Sequence, residues 1–194
     1  MFSACKKDRH DPKPDDPDPI SVSGKVLLSG KEYPTVKIGD LTWLAGNYDG
    51  NGGVIYNNGE KPEYGRYYTY AEALAIQVPQ GWRIPTREDY NKLMASQGIQ
   101  FSNDRVTNPE LIKRLASKTN WKNIPGNNIS GFNAQPAGYM FNDSAPLDGD
   151  ISELWIADGS TFSIQESGSQ TGHIIRIYGG SENPVYRFNL RFVR

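Results

Sequence analysis

Cysteine is almost absent from this sequence, and so is histidine. The 194 residues hold one cysteine, Cys5, and two histidines, His10 and His173. A single thiol cannot form an internal disulfide. With Cys5 close to the start of the chain, thiolate–imidazole sets that bind zinc cannot be assembled. The same count excludes a Cys/His nucleophilic pair. An excess of one charge is missing too: 21 Lys and Arg stand against 22 Asp and Glu, a net charge of -1. No broad basic field is therefore available for a phosphate backbone or an anionic membrane surface, and nucleic acid is excluded as a partner. No apolar run approaches the roughly 18 residues of a transmembrane helix, so none is expected here.

What the chain does have is glycine, proline and tyrosine, with 20, 13 and 11 of each against 37% hydrophobic residues. That balance suits a loop-rich domain burying aromatic rings rather than a helical bundle. The length fits one domain and a tail. Residues 1–19 differ from the rest. Lys6 to Pro19 carries charges and prolines but no core-forming residue, and reads as an extended, solvated tether. Before it, Phe2-Ser3-Ala4-Cys5 resembles a bacterial lipobox, in which small residues precede a cysteine that becomes lipidated. A full export signal has a positive region and an apolar stretch ahead of that cysteine, so an upstream leader is expected. The charges after Cys5 are similar to those of Bacteroides-type surface lipoproteins. Several acyl chains on Cys5 hold a membrane firmly where one does not, which makes the anchor at Cys5 the only expected membrane contact.

From Ile20 onward apolar and polar residues alternate. Gly24 to Leu28 reads as a strand, and Tyr33 to Ile38, Gly39-Asp40 and Leu41 to Ala45 as a hairpin. Asn47 to Gly59, rich in Gly and Asn, predicts a long loop. Thr69 with Glu72, and Thr86 with Asp89, are capping-box pairs that start two helices, the second stopped by Gly98. Asn108-Pro109 predicts a third helix through Leu111, Ile112 and Leu115. Short strands follow at Gly131–Ala134, Gly138–Phe141, Leu154–Ala157, Phe162–Ile164, His173–Tyr178 and Tyr186–Val193. Strands, a helical middle and strands again predict an α+β domain over residues 20–194.

Six strings in order resemble the Fibrobacter succinogenes major paralogous domain, a family of exported bacterial proteins related in fold to C-type lectins. They are Tyr33-Pro-Thr-Val-Lys-Ile-Gly-Asp-Leu-Thr-Trp-Leu-Ala-Gly-Asn47, Tyr64-Gly-Arg-Tyr-Tyr-Thr-Tyr70, Pro79-Gln-Gly-Trp-Arg-Ile-Pro-Thr86, Gly131-Phe-Asn-Ala-Gln-Pro-Ala-Gly-Tyr139, Trp155, and Arg191-Phe-Val-Arg194. The resemblance implies a lectin-like fold of short twisted antiparallel sheets, two to three helices and long loops. It also implies a departure: where the family commonly has two cysteines, plausibly a disulfide, this chain has Val78 and Phe192. Such a crosslink is worth about 2–4 kcal/mol, which apolar packing is expected to replace. The lectin-like relatives include sugar binders, protein binders and formylglycine-generating enzymes; the last use cysteines this domain lacks. Gln135-Pro-Ala137 is similar to the lectin sugar motif but lacks its third oxygen ligand.

Calcium is the one cofactor the sequence leaves open. Asn47, Asp49 and Asn51 occupy the first, third and fifth positions of a loop that partly imitates an EF-hand. Asn58 stands where a bidentate Glu is needed, so a plain Gly/Asn turn is the preferred reading. Asp143, Asp148, Asp150 and Glu153 read as a second, solvated acidic loop. Glu60, Glu63, Asp148 and Asp150 are the only candidates for a hydrolytic carboxylate pair, and a non-catalytic domain is expected. Trp43, Trp82, Trp121 and Trp155 are assigned to the core. Tyr56 and Tyr139, beside loops, are the candidate ligand contacts, with Asn57, Asn142 and Asp143 as polar neighbours. The expectation is an outer-membrane lipoprotein of the cell envelope recognising a glycan or an extracellular protein. The alternative is an adhesin-like structural or assembly module without a small ligand.

Overall fold

The computed structural model describes residues 22–102, 105–169 and 171–194. Cys5 and the tether expected over residues 1–19 lie outside them. The first sheet is an antiparallel meander of β1 (Val22–Leu28), β2 (Lys31–Ile38) and β3 (Leu41–Leu44). Ser29 and Gly30, at φ 49° and 79°, form a two-residue turn with both central residues left-handed, the hand that matches strand twist. Along β2, Tyr33, Val36 and Ile38 turn inward.

The middle of the chain is short pieces. β4 (Val54–Ile55) pairs with β5 (Arg66–Tyr67). Helix α1 (Tyr70–Ala75) and helix α2 (Arg87–Ser96) begin at the two expected capping boxes, with Thr69 and Thr86 accepting from the backbone N–H of Glu72 and Asp89. Gly98, at φ 75°, follows the end of α2. β6 (Phe101–Ser102) pairs with β7 (Arg105–Val106). The third helix is a correction: Pro109–Arg114 is 3₁₀, and the Asn108 side chain does not cap it. Asn108 instead accepts from the Gln100 N–H at 2.9 Å and donates to the Gly98 carbonyl at 2.8 Å. With its oxygen committed across the loop, the side chain cannot reach the helix start.

β8 (Met140–Phe141) leads into the second sheet, β9 (Ile151–Trp155), β10 (Thr161–Glu166) and β11 (His173–Tyr178), antiparallel with β10 in the centre. β12 (Tyr186–Arg187) returns to pair with β8. Two expected strands are shorter than the pattern suggested. Gly131–Ala134 makes only a bridge from Ala134 to Ala116. After Arg187 the chain changes partner every few residues, bridging Phe188 to Tyr68, Asn189 to Leu154, and Val193 to both Trp43 and Arg83. From Phe188 to Phe192 apolar and polar residues alternate as in a strand, but every residue from Phe188 to Val193 is buried and no single neighbour runs beside them long enough to make a ladder.

This last segment is the seam between the sheets. All four tryptophans are buried, as assigned. Trp43, Trp121 and the inner faces of β9–β11 form one cluster with α2; Trp82, Trp155, Phe188 and Phe192 form another with α1. Phe192 is 1% exposed, and Val78 packs against the same cluster, so both positions at which the resemblance implied a crosslink contribute apolar packing. Arg191 is fully buried between the clusters. Its Nε donates to Asn47 Oδ1 at 3.0 Å, its Nη1 to the carbonyls of Leu44 and Phe132, and its Nη2 to that of Asn133. Its guanidinium lies 4.5 Å over the Phe132 ring. Burial pushes its pKa down to about 9, which leaves it charged at neutral pH. Replacing Arg191 by Ala strands these acceptors, and each buried unmade bond costs about 1–3 kcal/mol. Urea unfolding of Arg191→Ala should therefore show a loss of at least about 3 kcal/mol. Lys at this position should recover little of it, since one ammonium cannot reach acceptors on four residues.

Candidate functional site

Gly138 sets the geometry of an aromatic-walled cleft. Its N–H donates to the Ile151 carbonyl at 2.6 Å, and a Cβ built on it would lie 1.8 Å from the Leu147 carbonyl oxygen. With φ at 65° as well, only glycine fits. This close crossing brings Tyr139 to the edge of the second sheet. There Tyr139 meets Tyr178 from the end of β11, Tyr186 from β12, and Phe188 from the seam.

The cleft holds about 400 Å³ and is open to solvent. Its walls are rings: Tyr139 lies 5.7 Å from Phe188 and 6.3 Å from Tyr186, while Tyr186 stacks on Phe188 at 5.8 Å. Phe141, 42% exposed, extends this surface outward at 5.2 Å from Tyr186. Gln165 on β10 supplies an amide that donates to the Tyr178 hydroxyl at 2.9 Å. Ser181 and the flexible-backbone pair Gly179-Gly180 complete the rim.

Glu153 lines the same cleft. It was expected in a solvated acidic loop; it sits in β9 instead and is 5% exposed. The reason is that β9 is covered on both faces, with Ser152, Glu153, Leu154 and Trp155 all buried. The Thr161 hydroxyl donates to its Oε1 at 2.6 Å, and no cation among the described residues pairs with it. Burial pushes the Glu153 carboxyl up to about 7, with the Thr161 bond opposing. Burial raises the Tyr139 phenol in turn, and the carboxylate of Glu153 adds to that rise.

The other residues singled out from sequence are placed as follows. Tyr139 is in the cleft; Tyr56 is not. Tyr56 is buried, donating to Asp148 at 3.3 Å, while Lys61 pairs with the same carboxylate at 2.7 Å and lies over the rings of Tyr56 and Tyr64. Asp148 thus ties two loops together. Asn57, exposed, sits in the 3₁₀ turn beside Tyr56. Asn142 and Asp143 are exposed on the turn after β8, at φ 49° and 52°. Asp143 accepts from Arg187 Nε at 2.6 Å, bracing that turn against β12.

Asn47, Asp49 and Asn51 are not brought together as a cation-binding set. Asn47 is buried, its oxygen taken by Arg191 and its amide donating to the Tyr64 carbonyl at 2.9 Å. Asp49 accepts from Lys31 and, at 2.7 Å, from the Tyr33 hydroxyl, and Asn51 faces solvent. The turn uses its oxygens to fasten the loop to the first sheet. Among the described residues, no group of three His, Cys, Asp or Glu could hold a metal ion, and no helix is long and apolar enough to cross a membrane.

Fold and cleft together define a small α+β domain of short antiparallel sheets whose sheet edge and seam enclose an aromatic pocket. The family model of the Fibrobacter succinogenes major domain matches residues 36–194, and the chain belongs to that family. Of the strings that resembled it, only Tyr33, Pro34 and Thr35 fall outside the match. No curated protein and no solved structure matches the chain.

Glu153 gives stability a defined pH dependence. Its folded pKa, about 7, lies above its ordinary value of 4.5. The folded state therefore holds a proton that the unfolded chain gives up, and stability falls as pH rises from about 4.5 to about 7. His173, buried and held below its usual value by desolvation, acts oppositely, losing stability as pH falls below about 6.5. The difference between wild type and Glu153→Gln isolates the first effect. At pH 8 the variant should be more stable by about 2–3 kcal/mol, and near pH 4 the two should converge in urea titrations.

Proposed function

We propose that this domain is a C-type-lectin-like recognition module that binds a saccharide in the cleft of Tyr139, Tyr178, Tyr186 and Phe188. The carrying observation is the composition of that concave surface: aromatic faces, one amide and one carboxyl, in about 400 Å³. Sugar rings present apolar C–H faces with hydroxyls at the edge, and they are met by rings for stacking and a few polar groups for orientation. A catalytic reading gains no support from this surface, since Glu153 is the only carboxylate lining it and glycoside hydrolysis takes two. The lipobox-like Cys5 and its tether supply the rest of the proposal: a lipoprotein of the bacterial outer membrane, holding the module away from the bilayer.

Tyr178 is the residue to test, because it is 42% exposed and its hydroxyl only accepts from Gln165. A glycan array probed with residues 20–194, with and without calcium, should retain a saccharide. Tyr178→Ala should weaken that binding at least about tenfold, or 1.4 kcal/mol, with the melting temperature within about 2 °C. Full binding by the variant, or a blank array with folded protein, overturns the cleft assignment for the sugars tested.

One observation favours the assembly alternative, in which the partner is a protein. β1 forms the edge of the first sheet, and Leu27 on it is 60% exposed. An open edge can take a further strand from another chain. If this is the working surface, sedimentation should reveal self-association or partner binding that Leu27→Lys abolishes while Tyr178→Ala does not.

A further inference from the structure

Most of the carboxylates fastening this fold are paired. Asp49, Asp89, Asp148 and Asp158 each meet a Lys or Arg. Glu153 is more deeply buried than Asp49, Asp148 or Asp158, and among the described residues it has only the Thr161 hydroxyl. Its second oxygen accepts from no described residue and is left to the cleft it lines. The cleft it lines is also lined by phenol rings, Tyr139 before β8, Tyr178 from β11 and Tyr186 from β12, and among the described residues no Lys, Arg or His lines it. Arg176 lies level with Glu153 across β10 but lines other surfaces. A desolvated carboxylate in an aromatic-walled cleft is the arrangement that selects a cation. The ring faces are the negative pole of each quadrupole, and the carboxylate supplies the full countercharge.

We propose that the cleft is selective for an ammonium group, and that the saccharide it takes carries a free amine, as an unacetylated hexosamine does. This rests on the reading of the cleft as a sugar site and narrows it. Neutral sugars stack on the same rings but leave the Glu153 carboxyl without a countercharge. An ammonium group satisfies the second oxygen and the ring faces together. Anionic sugars are rejected for the same reason. Binding of a cation holds Glu153 ionised, so complex formation near neutral pH releases a proton from a carboxyl that is part protonated in the free protein.

The test uses calorimetry with the whole chain and three probes. Glucosamine at pH 7 should bind at least about tenfold more tightly than N-acetylglucosamine, and Glu153→Gln should erase the difference. Choline, whose charge does not titrate, should gain roughly tenfold or more in affinity between pH 5.5 and 8, following the ionisation of Glu153. Its measured heat should vary with buffer ionisation enthalpy, reporting the released proton. These two readouts come from the wild-type protein and hold even if the variant misfolds. Equal binding of both sugars, with choline silent, overturns ammonium selectivity and leaves a neutral sugar site. Silence from all three probes overturns the selectivity; the Tyr178→Ala array comparison then decides separately whether the cleft binds sugar at all.

Discussion

The buried guanidinium of Arg191 is the constraint on which the rest of the domain depends. A charge carried into an apolar interior is costly unless its donors are met, and here no carboxylate meets them. Three carbonyls and one amide oxygen do so, from the end of β3, from the loop at Asn47 and from Phe132-Asn133. These acceptors sit in three separate stretches of chain. Satisfying one side chain therefore fixes the positions of the first sheet, the following loop and the irregular segment before β8 at once. The same residue belongs to the seam that supplies Phe188 to the cleft and follows directly on Tyr186 of β12. The aromatic pocket is thus a consequence of how the seam is held, with Phe192 and Val78 packing in the same apolar cluster.

How much of this could be read beforehand follows from how local each signal is. A capping box spans four residues, so Thr69–Glu72 and Thr86–Asp89 announced their helices without help from tertiary structure. The tight turn at Gly39 was similarly legible. Asn108 carries the same kind of signal but answers to Gln100 and Gly98 across a loop, and local pattern has no means of ranking that competitor. The seam reads as a strand because its apolar and polar residues alternate; its partners, contributed by Tyr68, Leu154, Trp43 and Arg83 in turn, are known only once the fold is.

The site was harder still. Tyr139 is a candidate contact because it lies beside a loop, and it is in the cleft. Tyr56, picked out on the same ground, is sealed by Lys61 and Asp148 because the loop folds back on a partner about ninety residues away. Glu153, Gln165, Tyr178, Tyr186 and Phe188 share no motif and are joined only by sheet register and the return of the chain to β8. A signal for Glu153 did exist. It lies directly before Leu154-Trp155 in a stretch with no turn residue, which fits a buried strand better than a solvated loop. Counting it with the nearby aspartates hid that.

Arg191 and Glu153 are two buried ionisable groups without an oppositely charged partner, and the fold treats them differently for a physical reason. The guanidinium has donors spread over a fork, enough for several neutral acceptors to stand in for a counterion, and it keeps its charge. The carboxylate has one hydroxyl donor, too little to hold a negative charge away from water, so its proton affinity rises instead. The first is nearly closed: four of the five guanidinium N–H groups of Arg191 end on protein acceptors. The second is open on the side of the cleft that Tyr139, Tyr178 and Tyr186 also line, and among the described residues its second oxygen accepts from none. Among the described residues the fold thus spends four acceptors on one cation and leaves one carboxylate oxygen to a solvent-facing pocket, where water or a ligand can meet it.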